Sequence, residues 1–112
     1  MLMVSKLTPR QVVSRMVGGT SVSFVDARSE RDWSKSGWKI TGAVRASVGS
    51  LVQDAARVCS SRLVVVYGNG TDDADVPRVA EGLRSFGFHE VRILDGGFSA
   101  WSDLHLAVQP RH

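Results

Sequence analysis

The stretch LVVVYGNGTDDAD, residues 63–75, joins five consecutive apolar residues to a loop with two glycines and three aspartates. A strand that is covered on both faces has a continuous apolar run of this kind, so Leu63–Tyr67 is predicted to be a central strand of a sheet. Glycines after such a strand allow backbone N–H groups to turn inward and hold an anion. The aspartates oppose that use, because their negative charge repels anions.

Composition and charge are those of an ordinary soluble globular protein. The 112 residues, 43% hydrophobic and 22% charged, are expected to form one domain over residues 1–112. The longest apolar run, Leu63–Tyr67, is far shorter than the roughly 20 residues of a membrane span, and the first residues lack the apolar length of a secretory signal. We therefore expect a cytoplasmic protein without a membrane partner. The net charge of +3 comes from basic residues scattered singly along the sequence, so no nucleic-acid partner is expected either.

Cysteine and histidine give no sign of a metal site or a cofactor. Cys59 is the single cysteine, which excludes an intrachain disulfide and a cysteine-based zinc site. The three histidines lack the spacing of metal ligands. We predict no metal and no cofactor, and we expect Cys59 to be a small buried or half-buried thiol near a helix end.

Helices are predicted where apolar residues recur at three- and four-residue steps. They cover residues 9–17 behind a Thr8 cap, 29–35 as one or two turns, 51–59, 76–86 with Gly87 at the end, and 98–104. The apolar face of the first is Val12, Val13, Met16 and Val17, and that of the fourth is Val76, Val79, Ala80, Leu83 and Phe86. Pro77 must lie in the first turn of the fourth. Trp101 is expected in the core, and one of Trp33 and Trp38 is expected to be partly exposed.

Strands are predicted at residues 22–26, 44–46, 63–67 and 91–94, between these helices. Strands that alternate with helices at this spacing indicate an α/β fold, with a mostly parallel sheet and helices on both faces. Binding sites in such folds lie beyond the carboxyl ends of the strands. The loops after Asp26, Tyr67 and Leu94 are therefore expected to gather at one rim.

Several motifs occur in the order found in one known family. They are LTPRQVV at 7–13, FVDAR at 24–28, KITGAV at 39–44, VVVYG at 64–68, GF at 87–88 and LDGGFSAW at 94–101. Together they resemble the rhodanese (sulfurtransferase) domain family from Leu7 to Val108. The resemblance implies a three-layer fold whose five-stranded, mostly parallel sheet has helices on both faces.

The resemblance also implies where the site lies. In active members a cysteine follows the VVVY-like strand and passes sulfur, as a persulfide, from a donor such as thiosulfate to an acceptor. Gly68 stands at that position here, and no residue from 68 to 76 is a cysteine or a histidine. The implied degenerate active-site loop is Gly68, Asn69, Gly70, Thr71, Asp72, Asp73 and Ala74. The implied rim is Asp26 and Arg28, expected to fix it by hydrogen bonds, with Asp95, Gly96 and Gly97, the last two in a turn that needs positive φ.

The acids of this loop permit two interpretations. The aspartates beside the glycines belong either to a solvated turn or to a helix N-cap, and Asp73 or Asp75 is suited to cap the following helix. Alternatively Asp72, Asp73, Asp75 and Asn69 offer oxygen ligands to magnesium or calcium, although their spacing matches no known metal loop. In either case each carboxylate within about 6 Å would repel an anion by roughly 3 kcal/mol at an effective dielectric near 20.

Two functions follow as hypotheses. The first is a non-catalytic binding or regulatory module that has lost sulfur transfer and holds an unknown protein partner or a small polar ligand at the rim. The second is a sulfurtransferase-related protein that assists sulfane-sulfur transfer through a partner's thiol or its own Cys59. If active, the chain would be a thiosulfate sulfurtransferase-like enzyme. Cys59 precedes the central strand, so it is expected at the opposite end from the loop.

Overall fold

The computed structural model describes residues 4–70 and 73–111. Its strands are Lys6–Leu7 (β1), Val22–Asp26 (β2), Trp38–Ile40 (β3), Val44–Arg45 (β4), Leu63–Tyr67 (β5), Val91–Leu94 (β6) and Val108–Pro110 (β7). Its α-helices are Pro9–Val17 (α1), Glu30–Lys35 (α2), Leu51–Ala55 (α3), Asp75–Ser85 (α4) and Gly97–Asp103 (α5), and a 3₁₀ turn at Val48–Ser50 leads into α3. Of the described residues, none belongs to a helix long and apolar enough to cross a membrane.

Five strands form one sheet in the order β1-β6-β5-β2-β4, and each neighbouring pair is parallel. The predicted α/β class and five-stranded, mostly parallel sheet are therefore confirmed. β5 lies at the centre, as its continuous apolar sequence predicted. Asp26 at the end of β2 pairs with Tyr67 at the end of β5, so the carboxyl ends of the two strands are level.

The side chains of β5 alternate between the two layers of the core, because successive residues of a strand point to opposite faces. Val64 and Val66 pack on the face covered by α3 and α4. Leu63, Val65 and Tyr67 pack on the other face, against residues of α1 and α5. All five are fully buried, and each contributes about 1.5–3 kcal/mol of hydrophobic stabilisation.

The first helix begins where the sequence predicted. Thr8 accepts a hydrogen bond from the backbone N–H of Gln11, whose side chain accepts one from the backbone N–H of Thr8. This reciprocal pair satisfies two N–H groups that a helix start leaves without a partner. The predicted apolar face is only partly buried, however. Val12 is fully buried, whereas Met16 is 43% and Val17 84% exposed, because the end of α1 extends past the core.

The predicted buried face of the fourth helix is also wrong at its end. Val76, Val79, Ala80 and Leu83 are buried as predicted, and Pro77 lies in the first turn. Phe86 was predicted to lie on the same face but is 49% exposed. It is the C-cap residue rather than part of the helix, so it does not continue the helical periodicity toward the core.

Three short strands were not predicted. β1, of two residues, adds a parallel edge strand to β6. β3 and β7 pair antiparallel, with Trp38 opposite Pro110 and Ile40 opposite Val108. Segments of three residues are too short to show alternating apolar and polar residues. β7 also contains a proline, which argues against a strand in a sequence-based prediction. Trp38 is 51% exposed, as was expected of one of the two tryptophans, and Trp101 is buried as predicted.

Candidate functional site

Backbone hydrogen bonds bring the predicted loops together at the carboxyl end of the sheet. Ala27 N donates to Tyr67 O at 2.8 Å, which joins the loop after β2 to the end of β5. Phe98 N donates to Gly68 O at 2.8 Å, and Ser99 N donates to Asn69 O at 3.0 Å. The start of α5 thus holds the loop after β5 in place through its first backbone N–H groups.

The turn before α5 requires its two glycines. Gly96 has φ +80° and Gly97 has φ +59°, a conformation that disfavours residues with a Cβ, and this agrees with the sequence expectation. A Cβ at Gly97 would also lie 2.6 Å from Gly68 O. The close approach of the two loops therefore depends on glycine at residue 97.

The loop after β5 holds a carboxylate of its own chain. Asp73 Oδ2 accepts hydrogen bonds from the backbone N–H of Asn69 at 2.8 Å and of Gly70 at 3.1 Å. Hydrogen bonds from N–H groups to a carboxylate are about twice as strong as those between neutral groups. The cradle expected from the glycines is thus present, and the side chain of Asp73 occupies it.

The same side chain fills the space beside Gly68. A Cβ built on Gly68 would lie 2.3 Å from Asp73 Oδ2, 2.5 Å from Cγ and 2.7 Å from Cβ. Such distances are well inside van der Waals contact. Any side chain at residue 68, a cysteine included, would therefore require Asp73 to move. A Cβ at Gly70, by contrast, would meet open space.

The helix-capping role expected of Asp73 or Asp75 is wrong. The N-cap of α4 is Ala74, and no side chain caps the helix there. The carboxylate of Asp73 bonds instead to the backbone N–H groups of Asn69 and Gly70. Asp75 is exposed in the first turn of α4. Thr71 and Asp72, also predicted site residues, lie outside the described residues.

Asp26 and Arg28 form a buried ion pair beneath the loops. Arg28 Nη2 donates to Asp26 Oδ2 at 2.6 Å, Arg28 Nε donates to both carboxylate oxygens, and the side chains are 0% and 2% exposed. Nη2 also donates to Trp38 O at 2.8 Å, and the guanidinium lies 4.7 Å from the centre of the Phe98 ring. These contacts tie β2 to β3 and α5. They hold both groups away from the surface, where a ligand would bind.

Tyr67 is a structural residue whose role the sequence did not reveal. Its buried phenol oxygen accepts a hydrogen bond from Ile40 N at 3.2 Å, which joins β5 to β3. Burial raises the pKa of the Tyr67 phenol far above its ordinary value, and the charge of Asp26 adds to that effect. Tyr67 therefore stays protonated and provides no phenolate for chemistry.

The cavity at the mouth of the loop is small, with a volume of about 70 Å³. Its walls include Gly68 and Asp73 from the loop and Asp95 and Gly96 from the turn before α5. Lys6 of β1 also lines it, although the sequence analysis did not single this residue out. A strand of two residues has no periodicity by which Lys6 could have been recognised.

Cys59 takes no part in this site. It lies before the amino end of β5, and the five residues of that strand separate it from the loop by roughly 16 Å at about 3.3 Å per residue. The expectation that it is buried or half-buried is wrong, because the thiol is exposed. α3 ends at Ala55 rather than near Cys59, which leaves the cysteine in the surface connection to β5.

A metal site receives no support from the part of the chain that the structure describes. Residues 4–70 and 73–111 contain no group of three or more histidine, cysteine, aspartate or glutamate side chains that could hold a metal ion. Asp73 is already bonded to two backbone N–H groups, and Asp72, the other ligand of the magnesium or calcium hypothesis, is not among these residues.

Comparison with known proteins agrees with the fold. A thiosulfate sulfurtransferase from Pseudomonas aeruginosa is 20% identical to this chain, with a TM-score of 0.75. The match covers 96% of this chain but only 19% of the Pseudomonas protein. A rhodanese-like domain from Anabaena sp. is 24% identical with a TM-score of 0.70, covering 98% of this chain and 80% of its own. A protein from Rhodopseudomonas palustris described as a possible tyrosine phosphatase is 23% identical with a TM-score of 0.68, covering 95% and 85%.

These likenesses show the fold, and this chain spans about a fifth of the length of the Pseudomonas protein. No curated protein matches the sequence. The family model described as the rhodanese-like domain matches residues 8–104, which is most of the chain and includes every motif from FVDAR to LDGGFSAW. The chain therefore belongs to the rhodanese-like domain family.

Proposed function

We propose that this chain is a rhodanese-like domain with a degenerate active-site loop that serves as a non-catalytic binding or regulatory module. The observation that carries the proposal is the position of Asp73. Its carboxylate bonds to the N–H groups of Asn69 and Gly70 and fills the space beside Gly68, where active relatives place the cysteine side chain. The loop thus lacks the nucleophile and already holds an anion of its own.

Electrostatics argue against a sulfur donor at this loop. Thiosulfate would have to displace Asp73 to reach the two N–H groups. With the carboxylate still about 6 Å away, repulsion would cost roughly 3 kcal/mol at an effective dielectric near 20, and less where solvent screens it. A shift of that size lowers the affinity by about a hundredfold. The loop is consequently a poor place to concentrate an anionic substrate.

The size of the cavity favours a protein partner over a small ligand. Pockets that enclose a small molecule usually have volumes of about 300–1,000 Å³, whereas this cavity has about 70 Å³. A partner would therefore bind across the rim rather than insert a ligand into it. Trp38, 51% exposed and linked to Arg28 through its carbonyl oxygen, offers an aromatic contact of the kind that is enriched in interfaces.

A sulfurtransferase assay with thiosulfate and cyanide tests the loss of catalysis. We chose thiosulfate because the Pseudomonas neighbour is described as a thiosulfate sulfurtransferase. The wild-type chain is expected to give no turnover above the rate without enzyme, and Gly68→Cys alone is expected to stay inactive because Asp73 occupies the space. The double variant Gly68→Cys, Asp73→Gly is expected to gain weak turnover. Wild-type turnover that disappears in Cys59→Ser would refute the proposal.

The competing hypothesis is a sulfur relay through the exposed thiol of Cys59. In that reaction the Cys59 thiolate attacks the outer sulfur of a donor persulfide, becomes a persulfide itself and releases the donor as a thiol. Mass spectrometry after treatment with a persulfide donor distinguishes the two, since the relay requires an added mass of about 32 Da, one sulfur, on Cys59. The binding-module proposal predicts no stable adduct at that residue.

A further inference from the structure

A basic groove lies at the amino-terminal end of the sheet, opposite the loop. We define it by the lining residues Val4, Arg84, Phe88, His89, Glu90 and Arg92. Its volume is about 410 Å³, several times that of the cavity at the loop. β6 begins beside it, so the groove is built on the central sheet rather than on a free loop.

Arginines converge on this groove from separate elements of the fold. Arg15 of α1 donates to Glu90 Oε1 at 2.7 Å, and Arg92 of β6 lies 3.1 Å from Glu90 Oε2. Arg84 comes from the end of α4, and Arg62, which precedes β5, contacts His89. Glu90 therefore holds the guanidinium groups of Arg15 and Arg92 in place before a partner binds.

Four arginines lie in or beside the groove, together with a single carboxylate. Arg84 and Arg92 belong to its lining, Arg15 bonds to Glu90, and Arg62 contacts His89. The surface around the groove is therefore strongly basic. Arg62 and Arg84 are exposed, and among the described residues Arg84 has no carboxylate partner. The guanidinium group of Arg84, and the nitrogens of Arg62 that do not contact His89, are available to an external anion.

Two apolar side chains belong to the lining of this otherwise mostly polar groove. Val4 and Phe88 are partly buried and pack against the core. Carboxylates fit the planar fork of arginine, and the ion pair of Arg15 with Glu90 already shows that pairing at this surface. A matching partner would have carboxylates on both sides of one apolar side chain.

We propose that the basic groove binds an acidic segment of another protein, in which an apolar residue contacts Phe88 and flanking carboxylates pair with Arg62 and Arg84. One feature favours a protein over a nucleic acid. The arginines form one compact cluster around Glu90 rather than a track along which successive phosphates could bind.

Fluorescence anisotropy with a short labelled peptide, a single leucine between runs of glutamate, tests the proposal. The wild-type chain is expected to bind it, with affinity that falls as salt rises because screening weakens exposed charge pairs. Arg62→Glu, Arg84→Glu is expected to weaken binding roughly tenfold or more. Arg31→Glu is the matched control: it reverses an exposed charge outside the groove and should change binding by less than about twofold. Replacing the leucine of the peptide by serine should also weaken binding.

Three results would overturn the proposal: a wild-type chain that does not bind the peptide, an Arg31→Glu variant as impaired as the double variant, or tighter binding of an oligouridylate of equal charge. Circular dichroism checks that each variant is folded. If the double variant is not, Arg84→Ala decides, and it should weaken binding about threefold. Because the groove lies at the opposite end of the sheet from Gly68, a failure here leaves the sulfurtransferase assay and its conclusion untouched.

Discussion

The two ends of the central sheet treat charge in opposite ways. At the carboxyl end Asp26 pairs with Arg28, and the carboxylate of Asp73 bonds to two backbone N–H groups. At the amino end arginines outnumber carboxylates, and Arg84 stands without a carboxylate partner in the described part of the chain. The carboxyl end holds the loop that corresponds to the family's active site, yet more of its charged groups are already bonded within the chain.

The contrast bears on stability and on binding in different ways. A buried ion pair or an occupied N–H cradle offers little to a ligand, and its removal is felt mainly in stability. An exposed surplus of one charge contributes little to stability but attracts a partner of opposite charge. We therefore expect substitutions at the carboxyl end to change the free energy of unfolding most, and those at the amino end to change it least.

The largest effect is expected from Arg28→Ala. It leaves the carboxylate of Asp26 buried without its partner, so the free energy of unfolding should fall by about 3–5 kcal/mol, measured by urea denaturation. The apolar pair Asp26→Leu, Arg28→Met removes both charges and should recover much of that loss. Arg31→Ala, at an exposed position, serves as the control and should stay within about 0.5 kcal/mol of wild type. A similar loss in Arg28→Ala and Arg31→Ala would mean that the pair is not the anchor of this end.

A middle-sized effect is expected from Gly68→Cys. The new Cβ would overlap the Asp73 side chain, so overpacking should cost about 1–3 kcal/mol of unfolding free energy. Asp73→Gly should relieve the overlap, whereas Asp73→Asn keeps Cβ and Cγ in place and should not. Removal of the charge alone is therefore expected to be insufficient to restore a cysteine site.

Gly70→Cys is the matched control for this substitution, since its Cβ meets open space. It should change the unfolding free energy by no more than about 0.5 kcal/mol. A double-mutant cycle between residues 68 and 73 should give a coupling energy of about 1 kcal/mol or more. Additive effects would contradict the inference that Asp73 occupies the position of the missing side chain.

The smallest effect is expected from Glu90→Gln at the amino end. The hydrogen bond from Arg15, with the charges of Arg92 and Arg62, holds the pKa of the Glu90 carboxyl below its ordinary value, despite opposing desolvation. Because the folded pKa lies below the unfolded value of about 4.3, the pair stabilises the fold above that pH and loses its contribution as pH falls through the folded pKa. The contribution should be at most about 1 kcal/mol, as for other partly exposed pairs.

Melting temperatures measured from neutral pH to about pH 3 check this sign, because the window lies at and below the unfolded pKa near 4.3. Wild type and Glu90→Gln should differ at neutral pH and converge in acid. Glu30→Gln is the control, since the Glu30 side chain is 82% exposed and its contact with Arg45 is 3.8 Å long. If the two variants respond to pH in the same way, Glu90 does not organise the arginines of the groove.

Most of the sheet and its helices could be predicted from the sequence because their signals are local. The continuous apolar run of β5 predicted its central place, and Thr8 with Pro9 predicted the start of α1. The predictions failed where the apolar periodicity of a helix continued beyond the part of the helix that packs on the core, as at Val17 and Phe86. A sequence pattern shows which residues share a face, but not where that face stops being covered.

The site was predictable in part. That no cysteine follows the central strand is visible in the sequence, and so is the acidic loop. The destination of the Asp73 carboxylate was not, because a helix cap and a loop cradle both supply N–H groups within its reach and only the folded backbone selects between them.

The sequence by itself determined the α/β class, the central strand and the absence of a cysteine after it, since each is written in consecutive residues or their spacing. Only the tertiary structure decided that Asp73 fills its own loop. It also decided that Arg15, Arg62, Arg84 and Arg92, scattered singly along the chain, meet around one groove. The physical reason is that charges interact through space, and the distances between residues distant in sequence are set by the packing of helices on the sheet.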